Sequence, residues 1–302
     1  MYRGFPTSAI DLLCCPRDGG ALYGEFDAEF VSKGAASCRR CASSYCIEEG
    51  ILRLLDPDAL DQVSRENRVV FEHNSATEGF DQELREESLA EIKPTMDALE
   101  PLDGCRVLEY GCGNGRYTVR MAPQTSLAVA VDFSIAALRK LSSRVQSTWN
   151  IALVQADVLR PVAQSGKFDR ALCTLTSNLP SKDDRCRLFQ AAARALKPDG
   201  WFVNGVHHFN LRARLQRVPR HGYYEGHRIY RYLSGRSEIA EETRTAFERV
   251  ECRPMVVCLP FTRRFGLATA AASFRLEKIP LLNNFSELLL VTARKPRAIA
   301  NG

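Results

Sequence analysis

The sequence has no long hydrophobic run and no recognisable export signal. None of its apolar stretches approaches the roughly 18 residues that a helix needs to cross a bilayer. The first 20 residues place Asp11 inside a short apolar patch and offer no small-residue cleavage site. We therefore expect a cytoplasmic protein with no membrane partner. In that compartment its 11 cysteines argue against a disulfide framework.

Charge is distributed unevenly between the two halves of the chain. Residues 1–159 carry 16 Lys and Arg against 24 Asp and Glu, a balance of −8. Residues 160–302 carry 25 against 12, a balance of +13. A basic half favours an anionic partner, although a solvated surface can have the same composition.

The chain also lacks internal repeats and low-complexity tracts, so its organisation is inferred from the hydrophobic pattern. Residues 1–55 have short strands and turns and form a candidate small module. Residues 56–101 are polar and helical in pattern, with Pro94 as an expected kink or break. In residues 102–302, strands alternate with helices until a basic, aromatic insertion at 209–236. This alternation predicts an α/β fold whose mostly parallel sheet is covered by helices on both faces.

The boundaries of several elements can be predicted. Pro198 and Gly200 are expected to end the helix that starts near residue 183. After the insertion, Ser237 is the expected N-cap of a helix that extends to about Phe247. The predicted strands are 105–110, 126–134, 150–157, 168–176, 201–208 and 287–294.

Three glycines at alternate positions, Gly111, Gly113 and Gly115, follow the first of these strands in the stretch VLEYGCGNGRY. A dinucleotide fingerprint needs G-x-G-x-x-G, and Arg116 occupies the position that would carry its third glycine. A phosphate-binding P-loop needs Lys-Ser/Thr after its last glycine, where Arg116 and Tyr117 stand. Both kinds of phosphate ligand are therefore disfavoured.

Acidic residues at the ends of the first three strands favour a different ligand. Glu109, two residues before the turn, would repel a diphosphate and attract an ammonium or sulfonium. Asp132 ends the second strand, where its two carboxylate oxygens can accept both hydroxyls of a ribose. Asp157, after the third strand, can accept from an adenine amino group. Together they indicate a cationic ligand without pyrophosphate.

The motifs VLEYGCGNG, AVDFS, QADV and LKPDGWFV, in this order, resemble those of the Rossmann-like class I methyltransferases that use S-adenosylmethionine. The resemblance covers residues 105–206 and, more loosely, 237–294. It implies a mostly parallel seven-stranded sheet with a late helix and an antiparallel strand pair. The alternative is a doubly wound domain whose acidic strand ends only cap helices.

This resemblance also implies where the cofactor binds. Its methionine part would lie along the glycine turn, its ribose on Asp132, and its adenine beside Asp157 and Val158 with Phe133 stacked nearby. The predicted cofactor-binding residues are Glu109, Gly111, Gly113, Asn114, Gly115, Asp132, Phe133, Asp157 and Val158.

Cysteine pairs in residues 1–55 resemble the knuckles of a zinc ribbon. Similar ribbons occur in small partner proteins that activate some methyltransferases and at the start of certain ribosomal RNA guanine methyltransferases. The second knuckle is intact (C-R-R-C, 38–41), whereas the first (C-P-R-D, 15–18) has an aspartate where a cysteine is expected. Paired knuckles suit one tetrahedral zinc; the alternative is a ribbon that has lost its metal. The predicted ligands of a structural zinc are Cys15, Asp18, Cys38 and Cys41, with Cys14 or Cys46 as substitutes for the aspartate.

Methyl transfer from a sulfonium has a good, neutral leaving group, so positioning can supply most of the acceleration. A base is needed only where the acceptor is protonated. His207 and His208 follow the fifth predicted strand, at the sheet edge where ligands bind, and are the candidate catalytic residues. His73 is a weaker candidate, in a segment (69–81) that resembles the cofactor lid of small-molecule enzymes. Residues 176–180 lack the Asn/Asp-Pro-Pro-aromatic signature of amino-methylating nucleic-acid enzymes.

Two classes of acceptor remain open. The first is a small molecule or peptide with a hydroxyl, carboxyl or amine group, over which the 209–236 insertion closes as a lid. The second is tRNA or ribosomal RNA, favoured by the ribbon-like module and by HRIYRYLSG, which loosely resembles a stretch of tRNA wobble-uridine methyltransferases. A non-catalytic cofactor-binding partner is disfavoured, because every cofactor position is filled. We favour the small molecule, because the late helix and strands resemble the small-molecule subgroup.

Overall fold

The computed structural model describes residues 2–77, 86–223, 229–259 and 269–298. The strands are β1 Phe5–Pro6, β2 Leu22–Tyr23, β3 Phe30–Val31, β4 Lys33–Cys38, β5 Ser44–Glu48, β6 Ile51–Arg53, β7 Arg106–Tyr110, β8 Leu127–Asp132, β9 Ile151–Gln155, β10 Phe168–Thr174, β11 Leu196–His207, β12 His221–Tyr223, β13 Tyr230–Tyr232, β14 Phe247–Val257 and β15 Ser286–Pro296. The helices are α1 Gln62–Thr77, α2 Glu86–Leu99, α3 Thr118–Met121, α4 Ile135–Arg144, α5 Lys182–Ala195, α6 Leu211–Leu215, α7 Arg236–Arg244 and α8 Ala270–Leu276, and 3-10 helices lie at Thr7–Leu12, Pro57–Ala59 and Pro280–Phe285. In these parts of the chain, no helix has both the length and the apolar character that a bilayer crossing requires.

One sheet of eleven strands forms the centre of the molecule, in the order β14-β15-β11-β10-β7-β8-β9-β6-β5-β4-β2. The five strands from β11 to β9 are mutually parallel. β15 is antiparallel to β11, and β14 is antiparallel to β15. The mostly parallel seven-stranded sheet with a late antiparallel pair is therefore confirmed, and with it the Rossmann-like α/β fold.

The N-terminal module continues this sheet. β6 pairs in parallel with β9 and sets Arg53 opposite Gln155, and β5, β4 and β2 follow in antiparallel order. The hydrophobic pattern did not predict this pairing, because β6 has only 3 residues and so short a segment does not specify a partner. The module is thereby joined to the edge of the sheet that leads to Asp157.

Helices cover both faces of the sheet because successive strand residues point to opposite sides. In β7, Leu108 enters the core that contains α5, α7 and the first 3-10 helix, whereas Val107 enters the core that contains α2 and α3. α4 packs on the same side as α3 through Leu138 and Leu141. β8 is buried at every position, as expected for a central parallel strand.

Three predicted boundaries need correction. α5 ends at Ala195, before Pro198 and Gly200, because Leu196 already pairs with Phe168 as the start of β11. α7 has Gly235 rather than Ser237 as its N-cap, and it ends at Arg244; the Glu238 side chain accepts from the Gly235 N–H at 3.0 Å. Pro94 lies inside α2, which continues to Leu99. α5 and α7 thus end earlier than predicted, α7 also begins earlier, and Pro94 does not break its helix.

Candidate active site

A cavity of about 330 Å³ lies at the carboxyl ends of the parallel strands. Its walls come from the turn after β7, from the ends of β8, β9, β10 and β11, from α1 and from the insertion before α7. This is the edge at which open α/β sheets bind ligands, and the volume lies in the range of about 300–1,000 Å³ that small-molecule sites occupy.

The glycine turn is packed so tightly that two of its residues cannot carry a side chain. A Cβ on Gly111 would lie 1.9 Å from Thr176 Oγ1, and one on Gly115 would lie 2.2 Å from Leu141 Cδ1. Both glycines have positive φ, +70° and +84°. A Cβ on Gly113 would meet nothing within 4 Å, and this glycine faces the cavity. The turn thus leaves open space where the predicted cofactor needs it.

Asp132 connects the turn to the end of β8. The side chain is only 6% exposed, yet it lines the cavity. Oδ2 accepts from the Gly113 N–H at 2.8 Å and Oδ1 from the Ser134 N–H at 2.8 Å. Burial raises the pKa of this carboxyl to about 6. Each oxygen retains a lone pair, so the carboxylate can still accept two ligand hydroxyls.

The residues predicted to lie beside the adenine also share this cavity. Phe133, Asp157 and Val158 all line the cavity. Asp157 Oδ1 accepts from the Leu159 N–H at 2.9 Å, and burial raises the pKa of the Asp157 carboxyl. The ring of Phe71, from α1, lies 5.8 Å from that of Phe133. Six of the nine predicted cofactor residues therefore meet at one cavity: Gly111, Gly113, Asp132, Phe133, Asp157 and Val158.

The other three predicted cofactor residues contact the glycine turn or its neighbouring helices on the side away from the cavity. Glu109 is 1% exposed, and its Oε2 accepts from Thr118 Oγ1 at 2.5 Å. Burial raises its pKa to about 8, so the carboxyl is mostly neutral at pH 7. The Asn114 carbonyl accepts from Arg144 Nη1 at 2.8 Å, and Gly115 packs on α4. None of the three is among the residues that line the cavity.

The structure separates the two candidate catalytic histidines. His207 lines the cavity, and burial, with Arg231 nearby, lowers its pKa to about 4. His208 lies on the opposite side of the chain, with Nδ1 2.8 Å from Ser286 Oγ. This follows from strand alternation, since neighbouring residues face opposite sides. His73 is exposed on α1 and does not line the cavity.

Sequence reasoning missed most of the wall that α1 forms. Asn67 and Phe71 both line the cavity, four residues apart on one helix face. Asn67 Oδ1 accepts from the Tyr230 N–H at 2.9 Å, which joins this helix to the insertion. Glu72 accepts from the Ile135 and Ala136 N–H groups at 2.8 and 2.9 Å. The spacing of Asn67 and Phe71 was the one available indication; residues 78–81 of the predicted lid lie outside the described residues.

The insertion supplies Ile229 and Tyr230 to the cavity. β12 and β13 form an antiparallel hairpin, and Tyr223 donates from its hydroxyl to Glu66 Oε2 at 2.6 Å. Residues 224–228, which include Tyr224 and Arg228, lie outside the described part of the chain. Of the insertion residues that are described, Ile229 and Tyr230 line the cavity.

The loop after β10, residues 175–180, forms a further part of the cavity wall. Leu175 has a φ of +56°, in the left-handed region that is unfavourable for a branched side chain. Two hydrogen bonds hold it there: its N–H donates to the Gly205 carbonyl at 2.8 Å, and its own carbonyl accepts from Asn178 Nδ2 at 2.8 Å. Strained residues of this kind are concentrated at ligand sites. Leu175, Asn178 and Leu179 all line the cavity.

A second constellation lies in the N-terminal module. The ligand atoms of Cys15, Asp18, Cys38 and Cys41 all lie within 4.8 Å of one another. Cys15 Sγ is 3.7 Å from Cys41 Sγ, and Cys38 Sγ is 3.4 Å from Asp18 Oδ1. A tetrahedral zinc with bonds of about 2.3 Å to sulfur and about 2.0 Å to oxygen has ligand separations of about 3.8 and 3.5 Å. The predicted set therefore fits one zinc ion.

The backbone of both knuckles also fits this arrangement. The N–H two residues after each leading cysteine donates to its sulfur: Arg17 N to Cys15 Sγ at 3.4 Å, and Arg40 N to Cys38 Sγ at 3.3 Å. Asp18 has the same support, since the Gly20 N–H donates to its Oδ1 at 2.8 Å. The backbone around Asp18 therefore resembles that around the two leading cysteines. Cys14 and Cys46 are not part of the cluster.

The module also contacts the adenine end of the cavity. Arg53 Nη1 donates to Gln155 Oε1 at 3.0 Å, and Gln155 Nε2 donates to the Phe133 carbonyl at 3.1 Å. The Leu54 N–H donates to the Gln155 carbonyl at 2.8 Å. The end of β9, from which Asp157 follows, is therefore fixed from the side of the module.

Comparison with known proteins agrees with this geometry. The model of a family described as "Methyltransferase domain" matches residues 107–200. A ubiquinone biosynthesis O-methyltransferase of Paracidovorax citrulli is 29% identical over 203 residues, which cover 63% of this chain and 84% of that protein. The enzyme of the same name from Xanthomonas oryzae pv. oryzae is 33% identical over 105 residues, covering 33% of this chain and 41% of that protein.

Solved structures show the same fold at low identity. The N-methyltransferase NodS of Bradyrhizobium japonicum, in complex with S-adenosylhomocysteine, has a TM-score of 0.55 and 15% identity, over 77% of this chain and 100% of that chain. A chain from a complex of the Haloferax volcanii Trm112 methyltransferase activator has a TM-score of 0.56 and 16% identity, over 75% of this chain and 98% of that chain. The chain therefore has a methyltransferase domain with the class I fold, and its cofactor is S-adenosylmethionine.

Proposed function

We propose that the protein methylates a hydroxyl group of a small acceptor and that His207 receives the hydroxyl proton. The observation that carries this proposal is the position of His207 on the same cavity as the glycine turn and Asp132. With a pKa of about 4, the imidazole is neutral at pH 7 and can accept a proton. The relative from P. citrulli is named as an O-methyltransferase, which supports oxygen as the acceptor atom.

Different residues of the cavity would bind the cofactor, accept the proton and contact the acceptor. When bound, S-adenosylmethionine would supply a methyl group on a sulfonium, whose sulfur would keep the carbon–sulfur electron pair as the acceptor oxygen takes the methyl. Asp132 and the glycine turn hold the cofactor, and His207 takes the hydroxyl proton. Leu179, Ile229 and Tyr230 give the remaining wall an apolar character that favours an aromatic or hydrocarbon acceptor.

The contacts of the insertion support a lid more than an RNA-binding surface. Arg220 forms an ion pair with Glu238, and Arg236 Nε donates to the Cys252 carbonyl at 3.1 Å. Arg214 Nε donates to the Phe209 carbonyl at 3.2 Å. Arg220 is thereby paired within the chain, and an arginine that already has a carboxylate partner has less capacity to neutralise phosphates.

Acceptor chemistry can be tested directly with labelled cofactor. We expect methyl transfer from S-[methyl-³H]adenosylmethionine to catechols and phenols with apolar substituents, and rates at least about tenfold lower with matched anilines and benzoic acids. Unfractionated tRNA and ribosomal RNA serve as the second arm. Transfer to RNA, with binding that weakens on the order of a thousandfold between 50 and 200 mM salt, would contradict the proposal.

We also propose that residues 1–55 form a zinc-ribbon module with one structural zinc on Cys15, Asp18, Cys38 and Cys41, followed by the helical segment 56–101 and the methyltransferase domain 102–302. The fit of the ligand separations to a tetrahedron supports this assignment. Its role is structural, because the cluster is formed by four protein ligands and leaves no coordination position for a substrate.

Elemental analysis should find one zinc per chain after extensive dialysis. Cys38→Ser should lose the metal and lower Tm by about 5 °C or more, because a structural zinc contributes folding free energy and about 1 kcal/mol shifts Tm by roughly 2–4 °C in a protein of this size. Asp18→Cys should retain zinc, and Cys46→Ser, which changes an exposed thiol outside the cluster, should match the wild type. The site would be refuted if the wild-type protein contained no zinc, or if removal of its zinc left its Tm unchanged.

A further inference from the structure

Arg185, in the first turn of α5, lies buried behind two walls of the cavity. Its Nη1 donates to the Leu179 carbonyl at 2.9 Å. Its guanidinium carbon lies 3.9 Å from the centroid of the Tyr232 ring, a cation–π distance. Leu179 lines the cavity, and so does Tyr230, two residues before Tyr232 on β13. One side chain therefore contacts both the loop after β10 and the hairpin of the insertion.

Two glutamates of α7 complete the cluster. Arg185 donates to both carboxylate oxygens of Glu242, at 2.6 and 2.9 Å, and both side chains are 2% exposed. Glu238 lies 3.9 Å from Arg185, accepts from the Tyr232 hydroxyl at 2.5 Å and pairs with Arg220. β13 is thus held to α5 and α7 through Tyr232.

Folding alone does not require a charge at this position. A buried ion pair is expensive to desolvate, and replacing both members by apolar residues of similar size is often neutral or stabilising. A guanidinium differs in that it can bind a carbonyl, a carboxylate and a ring face at once, in one planar arrangement. Arg185 makes these three contacts, and each leads to a different element.

The far side of β13 continues this connection across the cavity. The Tyr230 N–H donates to Asn67 Oδ1 at 2.9 Å, and Tyr223 on the paired strand donates to Glu66 Oε2 at 2.6 Å. The hairpin therefore spans from α7 and α5 to α1, above the carboxyl ends of the strands. Tyr230 of the hairpin and Asn67 and Phe71 of α1 each form part of the cavity wall.

We infer that Arg185 is a positioning residue that holds strand β13 over the cavity and thereby slows release of the cofactor product. It touches neither cofactor nor acceptor and acts through Leu179 and Tyr232. The inference rests on the cofactor's place in the cavity and is independent of the acceptor's chemistry. It predicts that removing the Arg185 contacts accelerates dissociation of the cofactor product while Tm stays near that of the wild type.

The dissociation rate of labelled S-adenosylhomocysteine, chased with unlabelled ligand, measures this effect. The double variant Arg185→Met/Glu242→Met removes the ion pair without leaving a buried charge and should keep a Tm near that of the wild type. We expect it, and Tyr232→Leu, to release the ligand about tenfold faster. Tyr232→Phe keeps the ring under the guanidinium and should stay within about threefold of the wild type. Arg187→Met, which changes an exposed arginine on the same helix, is the matched control.

An unchanged release rate in the double variant and in Tyr232→Leu would overturn the inference, as would an equal acceleration in Arg187→Met. An increase that is accompanied by a proportional loss of Tm would reduce Arg185 to a structural role and also overturn it. Failure of the wild-type protein to bind S-adenosylhomocysteine would remove the cofactor premise. Absence of transfer to phenols, in contrast, would affect only the proposed acceptor.

Discussion

Replacing Asp132 by alanine should weaken the binding of S-adenosylhomocysteine by about tenfold to 150-fold. A hydrogen bond to a charged group contributes about 1.5–3 kcal/mol, and the buried carboxylate faces the cavity with a lone pair free on each oxygen. The same change removes the acceptors of the Gly113 and Ser134 N–H groups, so the turn also loses its support. Calorimetric titration at pH 7.5 measures the affinity.

Asp169→Ala is the matched control for Asp132. Asp169 also accepts from a backbone N–H, that of Arg106 at 2.8 Å, but it does not line the cavity. It should therefore change stability without changing affinity. Equal affinity of the Asp132→Ala variant and the wild type would refute the assignment of Asp132.

The raised pKa of Asp132 gives this prediction a pH dependence. Ligand hydroxyls need the ionised carboxylate, so affinity should fall as the pH is lowered through about 6. Stability of the free protein responds in the opposite direction. Because the folded state binds this proton more tightly than the unfolded state, protonation of Asp132 favours folding as the pH falls from about 6 towards 4.

The parts of the site that the sequence predicted are those with local causes. Asp132 and Asp157 could be found because each follows a strand whose residues are almost all apolar, and parallel strands bring their carboxyl ends together. The glycine positions could be predicted because a turn packed this closely has no room for a Cβ. In the structure, Gly111 lies against Thr176 and Gly115 against Leu141. The C-x2-C spacing similarly placed Cys38 and Cys41 in one cluster.

The parts that were missed depend on long-range contacts. Which of His207 and His208 faces the cavity depends on the phase of β11, and the β10–β11 register shifts between Phe168 and Arg170. A shift of one residue exchanges the two faces of a strand, and no hydrophobic pattern reveals it. The same holds for Glu109, whose carboxyl meets Thr118 of the next helix.

The role of the N-terminal module was also invisible in the sequence. Cysteine spacing indicates a ribbon, but the pairing of β6 with β9 and the contact of Arg53 with Gln155 join segments about a hundred residues apart. The result is a module that is continuous with the cofactor side of the sheet. Loss of the proposed zinc should therefore alter the position of Phe133, whose carbonyl accepts from Gln155.

His207→Ala should lower kcat for a phenolic acceptor by about 10²–10⁴-fold, the range for removing a general base. Affinity for S-adenosylhomocysteine should stay within about threefold of the wild type, because the proposed cofactor contacts lie on Asp132 and the turn. His208→Ala changes the neighbouring histidine, which hydrogen-bonds to Ser286 outside the cavity, and should retain most of the activity. Steady-state rates with saturating cofactor give the comparison.

The pH profile distinguishes a base from a residue that only shapes the cavity. Protonation inactivates a base, and burial lowers the pKa of His207 to about 4. The acid limb of kcat/KM for the acceptor should therefore lie near pH 4 rather than near 6.5, provided that cofactor is saturating so that Asp132 does not limit the rate. His207→Ala should abolish this limb along with most of the activity. A limb that persists at the same pH in the His207→Ala variant, or full kcat in that variant, would exclude His207 as the base and leave proton removal to solvent.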